Sequence, residues 1–381
     1  MNPVLSGIAP SLIRELNARK KPGDIDLGMG EPTLKPDARY FEAATERVRR
    51  EGCPYSPNAG YTDLRAAVAA YHGFPDRGGA ENVVVTVGSE EALYLAIKAV
   101  LDPARDEALI MEPCYLAYPK LCALEGIRHR TVALDGDDGF RPSAARVLGA
   151  MGPATRMIIL NSPNNPTGRI WPADELRALA DGLAARPGPP VWVLSDEVYR
   201  ELYFTPEPPA SIGQMWPHAL VAGSLSKSNA LTGMRLGWLV GDPKVIAAAT
   251  KVHQLVNTAA STFSQMVARE VFSGSANLGA HRAHYAERLE LVAGLMKRNG
   301  IGWVRPEGAF YCMVRLPMAL EHDSLAAAEA LLEAHHVVAT PGRAFGDSGE
   351  GWLRLSWVAE PDDLRAGIER IAAFFATADR A

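Results

Sequence analysis

The sequence predicts an α/β protein with a mainly parallel sheet, joined to a smaller α+β domain. Three observations predict it. Short apolar runs alternate with amphipathic stretches through the middle of the chain. Residues able to carry chemistry fall just beyond the ends of those runs. Past about residue 275 the pattern changes to long helical stretches followed by late strands. Alternation of the first kind implies βαβ units and a parallel sheet.

Val83-Val84-Val85-Thr86-Val87 reads as a buried strand, and Gly88-Ser89 then opens a helix carrying Ala92, Leu93, Leu95, Ala96 and Val100 near helical spacing. Ala108-Leu109-Ile110-Met111 is a second strand. Met157-Ile158-Ile159-Leu160 is a third, followed by a Pro/Asn/Gly loop and a helix from about Pro172. Val191-Trp192-Val193-Leu194 is a fourth and runs into Ser195-Asp196; Leu220-Val221-Ala222 is a fifth and leads to Ser224. Helices are expected over 264–272 and 280–297, strands over 310–316 and 352–357, and a closing amphipathic helix over 361–375. Residues 40–275 form the expected large domain. Residues 1–39 and 276–381 form a small one built from both termini.

The net charge of −5 and the lack of a dense basic run argue against nucleic-acid binding. No apolar run is long enough to span a bilayer, and the first residues do not read as a signal peptide. Cys53, Cys114, Cys122 and Cys312 show no CxxC or zinc spacing, so four buried cysteines in a reduced cytoplasm are expected. The nine histidines show no metal spacing; His253, His281 and His284 read as helix-surface residues, and no metal is expected. A Ser/His/Asp hydrolase finds no support, since no GxSxG follows a strand.

Ligands of open α/β sheets bind beyond the carboxyl ends of the strands. Ser89, Asn165, Asp196 and Lys227 each sit there, so one crevice can gather them. Lys227 lies among Ser224, Ser226 and Ser228, with Arg235 downstream. A lysine that attacks a carbonyl must first shed a proton, which neighbouring positive charge favours. Hydroxyls and an arginine hold a phosphate through charge-assisted hydrogen bonds. An imine-forming lysine beside a phosphate site suggests pyridoxal 5'-phosphate (PLP). Ser89 and the backbone amides that open its helix suit the same phosphate. The loop Asn161 to Gly168 can present an amide to a ligand oxygen. Asp196 can cap a helix or pair with a protonated pyridine nitrogen, and Tyr199 can donate to the phenolate oxygen. Arg354, between apolar neighbours on a strand, needs an anionic partner, which a substrate carboxylate supplies.

Taken in order, Gly28-Met29-Gly30-Glu31-Pro32, Tyr55 to Gly60, the loop ending at Gly168, Asp196 to Tyr199, Ser224 to Arg235, Gly308 to Tyr311, Pro341-Gly342 and Arg354 resemble the fold-type I PLP enzymes, specifically the class I/II aminotransferases of the aspartate aminotransferase type. The resemblance runs over nearly the whole chain. It implies that Lys227 carries the cofactor and shuttles the proton, and that Asp196 pairs with the pyridine nitrogen. Asn165 and Tyr199 would hold the phenolate oxygen. Ser89, the Glu90 amide, Ser224 and Arg235 would bind the phosphate, with Tyr55 reaching it across a homodimer interface. Tyr115 would stack on the pyridine face, where tryptophan or phenylalanine is more usual. Arg354, the Gly30 backbone and the Asn165 amide would bind the substrate carboxylate.

The implied reaction is ping-pong transfer of an amino group from an L-amino acid to a 2-oxo acid. A lyase, cyclase or oxidase on the same scaffold is the alternative, since the same lysine, aspartate and arginine serve those reactions. A PLP-binding transcriptional regulator is disfavoured by the missing basic patch. Glu90, where some dicarboxylate-preferring relatives carry a basic residue, points to a neutral, aromatic or cationic donor.

Overall fold

The computed structural model describes residues 3–6, 8, 10, 12–74, 78–274 and 278–378. Seven strands build its main sheet: β1 (Val83–Thr86), β2 (Glu107–Glu112), β3 (Arg128–Ala133), β4 (Thr155–Asn161), β5 (Trp192–Asp196), β6 (Ala219–Ser224) and β7 (Gly237–Val240). Their order across the sheet is β1-β7-β6-β5-β4-β2-β3. Neighbours from β6 to β3 run parallel, and β7 alone runs against both β1 and β6. The central strands are buried on both faces, which is why they read as unbroken Val, Ile and Leu runs instead of alternating.

Two strands of this sheet have no counterpart among those the sequence predicts. β3 is an edge strand whose residues, Val132 excepted, are exposed, so it offers no apolar run to detect. β7 is four residues long and follows the Lys227–Arg235 turn directly, where it reads as part of the loop.

Two helices shape the site from behind. Helix α1 (Gly88–Val100) follows β1, and helix α2 (Pro243–Asn257) packs against it. Pro243 stands in the first turn of α2 and Asp242 caps it through the Lys244 amide, a standard start signal.

A four-stranded antiparallel sheet forms from Thr340–Pro341, Trp352–Ser356, Tyr311–Arg315 and Trp303–Val304, in that spatial order. Ile25–Asp26 pairs in parallel with Val337–Val338. Leu16, Ile25 and Leu27 share one apolar core with Leu289, Leu331, Leu353 and Ile368. That core also takes in Val198, Tyr199 and Leu202, so it extends to the end of β5. The boundary expected near residue 275 falls outside the described residues.

Two expectations are corrected. Cys53 is exposed, because it follows the Gly52 that ends helix Ala38–Glu51 and enters a surface loop; the other three cysteines are buried. His253 is fully buried, because its face of α2 packs onto α1. Of the described residues, no helix is long and apolar enough to cross a membrane.

Candidate active site

The carboxyl ends of β4, β5 and β6 meet at one place in the sheet. Asn161, the last residue of β4, donates its Nδ2 to the Asp196 carbonyl at 2.9 Å and accepts the Asn165 amide on Oδ1 at 2.7 Å. One side chain thus ties the end of β5 to the start of the Asn/Pro loop. Within that loop Asn164 Oδ1 accepts from the Thr167 amide and hydroxyl, which closes the turn.

Asp196 ends β5 and is buried. Tyr118 donates its hydroxyl to Oδ2 at 2.8 Å and the Val198 amide donates to Oδ1 at 3.3 Å; neither donor is charged. Burial pushes the Asp196 carboxyl up to about 6, against the pull of these hydrogen bonds. A cationic partner arriving from the cleft would relieve that cost.

Lys227 follows β6 in the next turn, and its Nζ donates to the Gly30 carbonyl at 2.9 Å. Beside it, Arg235 adopts a left-handed conformation (φ +48°) that turns its side chain back toward α1. Gly88 has φ +77°, and a Cβ there would lie 2.4 Å from Arg235 Nη2. A Cβ on Gly237 would lie 2.5 Å from the Ser89 nitrogen. Two glycines therefore let an arginine and the opening amides of α1 converge with no side chain between them, which is the geometry of an anion cup.

Arg354 is buried on the strand Trp352–Ser356. Nη1 donates to Asn165 Oδ1 at 3.0 Å, and Nη2 donates to the Gly28 carbonyl and to Thr340 Oγ1, none of them an anion. Its Nε has no partner among the described residues. Burial pulls this guanidinium below its ordinary range. Tyr199 and Tyr311 share a hydroxyl–hydroxyl hydrogen bond of 3.0 Å beside it, and burial raises the Tyr199 phenol well above its usual value.

These groups line one cleft of about 360 Å³, a size that suits a small ligand. The model for "Aminotransferase class I and II" matches residues 22–371. The chain belongs to the class I and II aminotransferases. An aspartate/prephenate aminotransferase of Thermus thermophilus is 34% identical over 358 residues, covering 91% of this chain and 90% of the relative. An arginine–pyruvate transaminase of Pseudomonas aeruginosa is also 34% identical, over 91% of this chain and 88% of the relative. The solved aspartate aminotransferase of T. thermophilus with maleate superposes with a TM-score of 0.91 at 30% identity, covering 98% and 99% of the two chains. As a member of this family the chain is a PLP-dependent enzyme with the aspartate aminotransferase-like fold. Its own geometry fits the cofactor. Asp196 is a buried carboxylate able to face a ring cation, the Gly88–Arg235 cup suits a phosphate, and Lys227 borders the same cleft.

Gly30, Ser89, Glu90, Tyr115, Asn165, Asp196, Tyr199, Lys227, Arg235 and Arg354 all border the aminotransferase cleft. Ser224 stands behind it, with its hydroxyl donated to the Leu236 carbonyl at 2.8 Å, while Ser226 faces the cleft. Tyr55 is 88% exposed and lies off the cleft of its own chain. Tyr118 and Tyr311, to which sequence reasoning gives no role, are hydrogen-bonded to Asp196 and Tyr199. The available signal for Tyr118 is its place one helical turn after Tyr115. Ile13, Arg14, Met29, Leu93 and Thr232 also reach the cleft.

Proposed function

We propose that this aminotransferase carries an amino group from a neutral, aromatic or cationic L-amino acid to a 2-oxo acid in two half-reactions. The observation that carries the reading is the pairing of functions in one cleft: an amine nucleophile, Lys227, and a buried guanidinium without an anion, Arg354. When bound, PLP supplies a carbonyl for the amino group and an electron sink for the bond broken at the donor Cα.

Arg354 grips the α-carboxylate of the donor, and the Gly30 backbone helps to orient it. Lys227 Nζ takes the proton from the donor Cα and delivers it to C4′ of the cofactor, on the far side of the amino nitrogen. Its resting contact with the Gly30 carbonyl, 2.9 Å, supports a position at the floor of the substrate site. Asp196 accepts the pyridine N–H and keeps that nitrogen protonated. Tyr199 and the Asn165 amide donate to the phenolate oxygen; the bond from Arg354 to Asn165 Oδ1 leaves Nδ2 free for this. Ser89, the Glu90 amide and Arg235 hold the phosphate, Tyr55 of the partner subunit completes it, and Tyr115 covers the ring; Ser224, expected among these ligands, instead donates to the Leu236 carbonyl behind the cleft.

The donor class rests on Glu90 at the exposed rim with Ile13, Met29 and Leu93 near it. A carboxylate there repels a distal carboxylate and tolerates a cation. Arg14 on the same rim favours a second reading, a dicarboxylic donor, in keeping with the aspartate aminotransferases among the relatives. Half-reactions with aspartate, methionine, phenylalanine and lysine, followed through the visible band of the bound cofactor, separate the two. Turnover fastest with aspartate, lost in Arg14→Ala and unmoved in Glu90→Lys, would establish the dicarboxylic reading. Conversion by no amino acid, with pyruvate and ammonia released instead, would replace transamination by a lyase reaction. Lys227→Ala should abolish every half-reaction while the protein still folds.

A further inference from the structure

Behind the anion cup, on the side away from the cleft, a buried carboxylate joins helix α1 to helix α2. Glu91 Oε2 accepts the Val87 amide, the last N–H before the left-handed Gly88. Val87 is the N-cap position of α1 and its own side chain cannot cap, so Glu91 provides the cap from inside the helix. Glu91 Oε1 accepts from His253 Nδ1 at 2.7 Å and from Asn257 Nδ2 at 2.7 Å. Both donors belong to the last turns of α2. The His253 side chain is 0% exposed and that of Glu91 is 9% exposed, so the bond between them forms away from water, where a bond to a carboxylate is strong, while Asn257 closes the exposed side.

We propose that Glu91, braced by His253 and Asn257, is a positioning residue that fixes the phosphate-binding turn for PLP. The geometry explains why a brace is needed. The turn tolerates no displacement toward β7, because Gly237 already packs against the Gly88 carbonyl carbon and the Ser89 nitrogen. It also carries no side-chain cap of its own. Without Glu91 the amides of Ser89 and Glu90 lose their fixed aim at the point where Arg235 arrives. Glu91 does not line the cleft, so it acts through the backbone it holds. The inference rests on the reading that Ser89 and Arg235 bind the cofactor phosphate.

The test compares two ligands that share a ring and differ in the phosphate. Cofactor-free wild type, Glu91→Ala, Glu91→Gln and Arg235→Ala are titrated with PLP and with pyridoxal, following the absorbance of the bound ring. Glu91→Ala should weaken PLP about tenfold to a hundredfold and leave pyridoxal unchanged. Glu91→Gln, which keeps the volume and one of the two accepting oxygens, should lie between it and wild type, and it carries the test should the alanine variant not fold. Equal weakening of both ligands, or no weakening of PLP, overturns the proposal. Arg235→Ala tells the two levels apart: PLP weakened by Arg235→Ala and untouched by either Glu91 variant defeats the brace alone, whereas PLP indifferent to Arg235→Ala defeats the phosphate reading beneath it.

Discussion

Arg354 Nη1 donates to Asn165 Oδ1 across 3.0 Å, and this bond joins the small antiparallel sheet to the loop that follows β4. It gives one arginine two tasks. The guanidinium orients the amide of Asn165 and, in the proposed reaction, also grips the carboxylate of the donor.

Arg354→Lys should therefore lower kcat/KM for every amino acid by about a hundredfold or more, because an ammonium cannot make the two-pronged grip and no longer fixes Asn165. The loss should be uniform across donors, since all share the α-carboxylate. Steady-state kinetics with two unrelated donors checks it; a loss confined to one donor would move Arg354 to side-chain recognition. Cofactor affinity should change far less, because the phosphate cup lies elsewhere.

Asp196 gives a pH dependence with a definite sign. Its folded carboxyl lies at about 6, above the ordinary 3.8. Without cofactor, the stability contributed by this group is fully present below about pH 4 and is lost as pH rises through about 6, an effect of at most about 3 kcal/mol. Asp196→Asn should remove that loss, so the cofactor-free variant should be the more stable protein above pH 6 and indistinguishable from wild type near pH 4. Addition of PLP should reverse the order, because asparagine cannot balance a pyridinium. Denaturant unfolding at both pH values, with and without PLP, reads all four terms.

Tyr118 tunes the same carboxyl. Its hydroxyl bond favours the ionised form of Asp196, so Tyr118→Phe should push the carboxyl still higher and weaken PLP about tenfold. The diagnostic is the acid limb of cofactor affinity against pH, which should move upward in the variant. A weakening that is the same at all pH values would leave Tyr118 with a packing role only.

How much of this was legible in the sequence depends on what kind of information each residue carries. Asp196, Asn165 and Lys227 follow unbroken apolar strands, and strand ends are readable because burial on both faces leaves a run of Val, Ile and Leu. Arg354 was readable as a charge set in an apolar strand. Tyr118 was not: its place one turn after Tyr115 hints at the cleft, but the bond to Asp196 spans 78 residues and no local pattern names that partner. The same holds for His253, which looks like a surface residue on its own helix until α1 covers it. The edge strand β3 fails for the opposite reason: solvent on most of its residues leaves no apolar pattern to read.

The surface around Tyr55 bears on assembly. Tyr55 is 88% exposed, and Leu255 and Val256, at the end of α2, are 87% and 60% exposed. Their segments are tied together, since Asn58 Nδ2 donates to the Thr258 carbonyl at 2.8 Å and Thr262 Oγ1 donates to the Pro54 carbonyl at 2.7 Å. Exposed apolar side chains on a segment tied to that of a tyrosine that does not reach its own cleft suit a second copy of the chain. Leu255→Asp with Val256→Asp should then weaken self-association by about a hundredfold or more, since the new charges would be buried without partners. Monomers formed in this way should bind PLP less tightly, and Tyr55→Phe should reproduce the loss of affinity within an intact dimer. Sedimentation velocity alongside PLP titration decides between the outcomes. A double variant that remains dimeric would place the interface elsewhere, and a monomer with wild-type PLP affinity would remove Tyr55 from the phosphate site.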